Sequence, residues 1–501
     1  MLRRKARQAT TSKSHVNPEK ILMNLENMLI DGEWVDAVSR QSFAIYNPAN
    51  GAVVGEAPAG TADDTILAIN AAEAAFNAWA ETPAAKRAKI LRRAADLLLS
   101  REERISQLIT LEAGKLLRAS RKEISASAEF IYWYAEEGRR SYGEWIPDPL
   151  PDRRLLTIRQ PVGVVAVITP WNFPAYMIAR TAAAALAAGC TVIVKPSKQT
   201  ALTGLAVARA FADAGIPRGV FNLVTGDPNA IGKAFLDDAR VRKISFTGSI
   251  EIGKKLMSGA AKSVKRVTLE LGGNAPFIVL SDADLEKAIE GLMSAKFQNA
   301  GQMCIAPNRV FVHSSLHDTF LERVSRKVAQ LKVGNGLDPG TDVGPLINGS
   351  AVKKVESHVN DAIDKGARVL VGGHRLIEGT LAAGSFYAPT VLADVTSDMR
   401  IAQEETFGPV APIIAFEDER EVIERANNTP YGLAAYLYTR DLNKAIKIVE
   451  RLESGIIGVN DTRIATVEGP FGGFKQSGIG REGGHDGLAS FLETKEIAFR
   501  V

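Results

Sequence analysis

A chain of 501 residues, 46% hydrophobic and 24% charged, has the material for two or three domains around sizeable cores, which excludes a largely disordered protein. A net charge of +4 with no basic stripe interleaved with aromatics argues against nucleic-acid binding, and the longest apolar stretch, Thr181 to Val194, is too short to span a membrane. Two cysteines, Cys190 and Cys304, make no disulfide framework and the six histidines show no ligand spacing, so no metal site and a reducing compartment are expected.

The first residues, MLRRKARQATTSK, are Arg-rich and free of acid until Glu19. They are compatible with an organelle transit peptide or with a solvated, disordered extension. From 61 to about 140 the apolar period is helical: TADDTILAINAAEAAFNAWAE opens on Thr61 or Asp63 as a cap, and KRAKILRRAADLLLS repeats the period. After residue 160 short apolar runs alternate with helical segments. GVVAVITP, TVIVKP, GVFNLVTG and VRKISFTG read as strands, and IARTAAAALAAG, ALTGLAVARAFADAG and IEIGKKLMSGAAK as helices. Near-continuous Val/Ile strands separated by helices predict a parallel sheet covered on both faces. A second alternation, from APFIVL at 275 through RVFVH, ARVLVGG, APIIAF and YGLAAYLYT to GIIGVN at 455, predicts a second α/β domain. The Pro-rich stretch 142–163 and the C-terminal ETKEIAFRV fall outside both, and as a protruding sheet they would need another subunit to cover them.

Candidate chemistry collects at strand ends. The first strand of the sheet runs into PWNFP, where Pro170 and Pro174 bracket a turn presenting Asn172, at the edge where open α/β sheets bind ligands. Alone, Asn172 reads equally as a turn residue. Lys195 ends the next strand and suits ribose hydroxyls or phosphate, or is simply solvated. FTGSIEIG opens a helix whose N-terminus could face a pyrophosphate, with Gly248 permitting close approach and Ser249 capping, although it is not the usual dinucleotide fingerprint. In TLELGG, Glu270 sits in an apolar strand, where desolvation would raise its pKa toward general-base values, unless it is a salt-bridged glutamate. Cys304, in NAGQMC, follows a helical run; by itself a lone cysteine is more often inert core than nucleophile.

Taken together and in order, PWNFP, KPS, FTGS, LELGG, GQMC, EETFGP and PFGGFKQSGIGRE resemble the NAD(P)-dependent aldehyde dehydrogenase superfamily over residues 28 to 501. NDAIDKGARVLVGG, YGLAAYLYTRD and the C-terminal glycine-rich stretch are similar to its succinate-semialdehyde branch. The resemblance implies two doubly wound parallel-sheet domains plus a small oligomerisation sheet in a dimer or tetramer. It divides the chain into an extension (1–27), a cofactor-binding domain (28–141 and 163–273), a catalytic domain (274–486) and oligomerisation segments (142–162 and 487–501). It implies Cys304 as nucleophile, Glu270 as general base, and the Asn172 side chain with the Cys304 backbone N–H as oxyanion hole. Lys195 would hold the adenine ribose and Glu405 the nicotinamide ribose, with Thr169, Pro170, Trp171, Ser197, Lys198, Gly232, Phe246, Gly248, Ser249 and Phe407 lining the cofactor groove. The product would be a carboxylic acid, formed through a thiohemiacetal and a thioester, in the cytoplasm or, with a transit peptide, an organelle matrix.

Departures from the branch sharpen this expectation. NAD-preferring members usually carry Glu three residues after the lysine, where this chain has Lys198; an ammonium there attracts a 2′-phosphate, so NADP is expected to be accepted. Arg180 matches one carboxylate-binding arginine of the branch, but the second, six residues before the cysteine, is Gln298. Ala306 replaces a frequent second cysteine, removing any thiol switch. Arg463, with Thr466 nearby, falls in a segment that by resemblance lines the substrate mouth, so the expected substrate is a short anionic aldehyde: succinate semialdehyde or a hydroxylated, sulfonated or phosphorylated analogue. A solvated Arg463 and a neutral aldehyde are the plainer alternative. CoA-acylating oxidation is disfavoured by Glu270, a thiol hydrolase leaves the cofactor motifs unexplained, and a structural protein leaves Cys304, Glu270 and Asn172 unexplained.

Overall fold

The computed structural model describes residues 27–501, so the expectation for the Arg-rich N-terminus lies outside the described residues. The first alternation builds an eight-stranded sheet in the order Gly478–Ile479, Arg266–Glu270, Val241–Thr247, Val164–Ile168, Thr191–Lys195, Phe221–Leu223, Met28–Ile30, Glu33–Val35. The five strands from Arg266–Glu270 to Phe221–Leu223 run parallel. Successive side chains of a strand point to opposite faces, and both faces are covered. Val165, Val167, Val192 and Val194 pack against one set of helices, among them Ala84–Ser100, Leu117–Glu137 and Pro174–Ala188; Val164, Ala166 and Ile193 pack against Ala62–Glu81 and Pro228–Asp237. That double burial is why these strands read as unbroken Val/Ile runs.

From Val164–Ile168 the chain winds outward through two strands and then returns to Val241–Thr247 on the other side. Such a reversal opens a crevice at the carboxyl ends of the two strands where the order changes.

The second sheet has seven strands in the order Arg368–Val371, Thr390–Ala393, Val410–Phe416, Pro307–His313, Ala275–Val279, Ala434–Tyr438, Ile456–Val459, parallel except for the first. Its core is a separate apolar cluster. Leu492–Arg500 pairs antiparallel with Arg153–Pro161 along their full length, and Trp145–Ile146 completes a small third sheet, the pairing expected of the two segments outside the alternations. The fold is that of two parallel-sheet α/β units with a small extra sheet. The strand Gly478–Ile479 belongs to the glycine-rich loop late in the chain but pairs with Leu269 and Glu270 of the first sheet, so that loop reaches across from one sheet to the other.

Candidate active site

The carboxyl ends of the first sheet and the amino ends of the second contribute to one cavity of about 250 Å³. From the first come Pro170, Trp171 and Asn172 after Val164–Ile168, Thr247, Gly248 and Ser249 at the end of Val241–Thr247, and Glu270. From the second come Cys304, before Pro307–His313, and Glu405, Thr406 and Phe407, before Val410–Phe416.

Cys304 is partly exposed and unpaired. The helix Leu285–Phe297 ends just before it, and Asn299, Ala300 and Gly301 then adopt left-handed backbone (φ 50°, 53° and 72°). Two of these carry a Cβ, a strain that persists only when the surroundings over-determine it. Gln302 does so: its buried amide donates to Asn299 O at 3.0 Å and Pro345 O at 3.3 Å and accepts from Ile347 N–H at 2.8 Å. Asn172 Nδ2 donates to Gln302 O at 3.1 Å, using one of the two amide protons and leaving one for a ligand. Gly273 keeps the neighbouring strand close, since a Cβ there would lie 2.4 Å from Cys304 O. Burial pushes the thiol up to about 12, while the Arg180 guanidinium pulls it down.

Glu270 is 2% exposed and neither carboxylate oxygen has a protein partner. Burial, with the Glu482 carboxylate adding to it, raises its pKa well above the ordinary value, against pulls from Arg180 and Arg481. The backbone holds the side chain in place: Glu270 O accepts from Gly248 N–H at 2.9 Å, and Glu270 pairs with Gly478. A Cβ on Gly472 would lie 2.8 Å from Glu270 Oε1, so the loop passes this close only as glycine.

The groove residues form a cradle suited to a dinucleotide. Lys195 is buried, its pKa lowered to about 8 by burial and by Lys198. Thr169 N–H donates to Lys195 O at 3.1 Å, joining the two strand ends. Lys198 is exposed, its ammonium 5.3 Å from the Phe43 ring centroid, and Ser197 Oγ bonds Gln199. Ser249 Oγ caps Ile250–Ala261 by accepting from Ile252 N–H at 3.4 Å, and a Cβ on Gly248 would strike the Phe246 ring at 2.3 Å. Gly232 faces open space. Glu405 Oε1 accepts from Gly273 N–H at 3.0 Å, and burial lifts its pKa to about 6. The Trp171 and Phe407 rings meet edge to face at 5.7 Å, with Phe407 held at φ 56°. Open space at Gly232, an anion-accepting helix start and a buried ammonium and carboxylate at the two ends fit a nicotinamide dinucleotide.

The expected substrate residues divide. Arg180 is 1% exposed and forms an ion pair with Glu482 at 2.5 Å. Burial alone would lower its pKa, but Glu482 holds it above the ordinary value. Its guanidinium is therefore already balanced by a carboxylate, although Nε and Nη1 have no protein partner. Gln298, Arg463 and Thr466 are exposed and do not line the cavity that holds Cys304. Sequence reasoning passed over Glu482, which closes the glycine-rich loop and accepts from Thr181 Oγ1 at 3.0 Å and Ser245 Oγ at 3.1 Å. Its signal was an acid ending a glycine-rich loop. Lys354, which lines the cavity beside Glu405, carried none. Among the described residues no group of side chains could hold a metal ion.

Residues 34–497 match the family model described as the aldehyde dehydrogenase family. An NADP-dependent succinate-semialdehyde dehydrogenase of Escherichia coli is 49% identical over 470 residues, 94% of this chain and 97% of that protein. A 3-sulfolactaldehyde dehydrogenase of Pseudomonas putida is 46% identical over 472 residues, 94% of this chain and 96% of its own. The crystal structure of a succinate-semialdehyde dehydrogenase from Burkholderia pseudomallei superposes with a TM-score of 0.94 at 46% identity, covering 97% of this chain and 100% of the other.

Proposed function

The chain belongs to the aldehyde dehydrogenase family and is an NAD(P)-dependent enzyme, and we propose that it oxidises a short anionic aldehyde of the succinate-semialdehyde kind to its carboxylic acid through a thioester on Cys304. The observation that carries this reading is Glu270: a wholly buried carboxylate with no protein partner, in the same cavity as the one cysteine that meets open space. A buried carboxylate without a partner costs stability, and groups perturbed in this way cluster at functional sites.

Cys304 sulfur, once its proton has passed to solvent in the open cavity, adds to the aldehyde carbon. The oxyanion that forms is met by the spare Asn172 Nδ2–H and the Cys304 backbone N–H, donors worth roughly 3 to 4 kcal/mol each in comparable sites. When bound, the nicotinamide cofactor would supply the acceptor for the hydride that leaves this carbon as the thioester forms. Glu270 then takes a proton from a water molecule as its oxygen attacks the thioester carbon, and the carbon–sulfur bond breaks to release the acid. Lys195 and Glu405 would hold the two riboses, and Thr169, Pro170, Trp171, Ser197, Gly232, Phe246, Gly248, Ser249 and Phe407 the rest of the groove. Lys198 favours NADP.

Relatives acting on succinate semialdehyde and on 3-sulfolactaldehyde at 49% and 46% identity support an anionic substrate. With Arg180 paired to Glu482, we assign selectivity for the anion to Arg463, which with Thr466 and Gln298 is exposed outside the cavity that holds Cys304 and would act on the substrate as it approaches. A panel of succinate semialdehyde, a sulfonated and a neutral aldehyde of equal length, each with NADP and NAD, tests this; equal kcat/KM for the neutral compound would sink the anion-selective reading. We assign 28–141 with 163–273 to cofactor binding, 274–486 to catalysis, and 142–162 with 487–501 to homo-oligomerisation, where Trp145 (64% exposed) and Phe499 (45%) present apolar surface. No helix among the described residues is long and apolar enough to cross a membrane; the cytoplasm, or an organelle matrix, is the proposed location.

A further inference from the structure

Behind Asn172 lies a buried ion pair that touches neither the cavity nor the cofactor groove. Lys115 sits in the short turn between Glu102–Ala113 and Leu117–Glu137, and Glu123 on the second of these helices, each with a fully buried side chain. Their charged ends are bonded to each other. The second oxygen of Glu123 accepts from Ala175 N–H at 3.0 Å and Tyr176 N–H at 3.3 Å. Those amides open the helix Pro174–Ala188, whose own N-cap residue, Phe173, has no side chain able to cap it. Glu123 therefore supplies the cap from another helix, where orphan N–H groups and the helix dipole favour an anion. Lys115 Nζ stands 3.7 Å from the centroid of the Phe173 ring, a cation–π contact in a desolvated place. The residue after Asn172 and the helix after that are thus held from the same side.

The Lys115 turn also grips the other half of the site. Leu117 N–H donates to Gly336 O at 2.9 Å, and a Cβ on Gly344 would lie 2.2 Å from Gly114 O. Pro345 follows directly, and its carbonyl accepts from Gln302 Nε2 at 3.3 Å. Gln302 O in turn accepts from Asn172 Nδ2. The contacts close a ring: Lys115 turn, Pro345, Gln302, Asn172, Phe173 and back to Lys115. Both expected oxyanion donors, the Asn172 amide and the Cys304 N–H two residues beyond Gln302, hang on that ring.

We propose that Lys115 and Glu123 are positioning residues that set the Asn172 amide against the Cys304 backbone N–H. The inference rests on the reading of Asn172 as an oxyanion donor. Buried ion pairs are weak sources of stability compared with apolar residues of the same volume, so directional control of Phe173 and of the helix start is the more economical account of a charged pair here.

The test is a cycle on the full-length enzyme with NADP and succinate semialdehyde. Lys115→Met and Glu123→Gln are each made alone and with Asn172→Ala, and the burst rate of cofactor reduction, the cofactor Kd and Tm are measured. Asn172→Ala alone should slow the burst about 10²-fold. Lys115→Met alone should slow it about 10-fold, short of the ~10²-fold that a 1 Å misplacement costs, with cofactor Kd unchanged. In the Asn172→Ala background Lys115→Met should cause no further loss, because the donor it positions is gone. An equal fractional loss in both backgrounds, or a fall in Tm with an unchanged burst, overturns the inference. If Lys115→Met does not fold, Glu123→Gln, which keeps an acceptor for Ala175 and Tyr176, carries the same comparison. A normal burst in Asn172→Ala would overturn the oxyanion reading itself and the inference with it, a result distinct from Lys115→Met alone being silent.

Discussion

Two buried ion pairs flank the site, and they are built differently. Glu123 spends one oxygen on Lys115 and the other on two backbone N–H groups of a helix start. Glu482 is likewise paired, to Arg180 at 2.5 Å, and accepts from two hydroxyls. Around that second pair, however, Arg180 Nε and Nη1, the Tyr134 hydroxyl and both oxygens of Glu270 have no protein partner. A saturated pair can only fix a position. A pair with unspent donors beside an unspent carboxylate exerts its field on whatever enters, and such orphaned polar atoms are where buried water or substrate finds a place. On the proposed mechanism one pair would act as scaffold and the other would tune reactivity.

Breaking either pair should cost stability equally. Arg180→Met and Lys115→Met each strand a buried carboxylate, so each should lose about 3–5 kcal/mol in chemical denaturation. A much smaller loss for one would mean its partner is already neutral. The pairs should separate in pH dependence. As a base Glu270 must be unprotonated, so thioester hydrolysis rises with pH through its raised pKa. Glu482→Gln removes a carboxylate that raises that pKa and should move the rising limb to lower pH, whereas Arg180→Met removes a cation that lowers it and should move the limb higher. Lys115→Met should leave the limb in place; single-turnover hydrolysis against pH reads all three.

A third charge, Lys198, is exposed and contrasts with both pairs. Lys198→Glu should cut kcat/KM for NADP about 10- to 100-fold, the worth of one charge-assisted hydrogen bond, with NAD little changed. Equal losses with both cofactors would remove Lys198 from any phosphate role. The smallest difference should appear at the thiol. With its pKa pushed up to about 12, the Cys304 reaction with iodoacetamide in the cofactor-free enzyme should still be rising with pH at ~10. Arg180→Met, which removes the cation that pulls this pKa down, should slow alkylation at neutral pH and Lys115→Met should not.

Much of the fold was legible because buried parallel strands leave unbroken Val/Ile runs, as in TVIVK at 191–195. What escaped was short or made by distant pairing. Thr390–Ala393 is only four residues long, too short to show a period, and the hairpin Ser42–Tyr46 with Val53–Pro58 is made of short strands that precede the first helical period. Of the site, Asn172, Glu270 and Cys304 were found because each ends or precedes a strand inside an ordered motif, and the structure brings them to one cavity. Glu482, Lys115 and Glu123 were not, because a buried charge is recognised by its partner, and these partners lie 302, 8 and 8 positions away on other elements. Gln298, Arg463 and Thr466 were singled out by resemblance to the succinate-semialdehyde branch, and all three are exposed outside the cavity.

The central claim is that Glu270 releases an acyl group from Cys304. Glu270→Gln, mixed with NADP and succinate semialdehyde, should give one burst of reduced cofactor and then stall, with hydrolysis slowed about 10²–10⁴-fold. Intact-mass analysis at the stall, with peptide mapping, should find a succinyl group on Cys304. Continued turnover at the normal rate, or a stalled enzyme of unmodified mass, would contradict it.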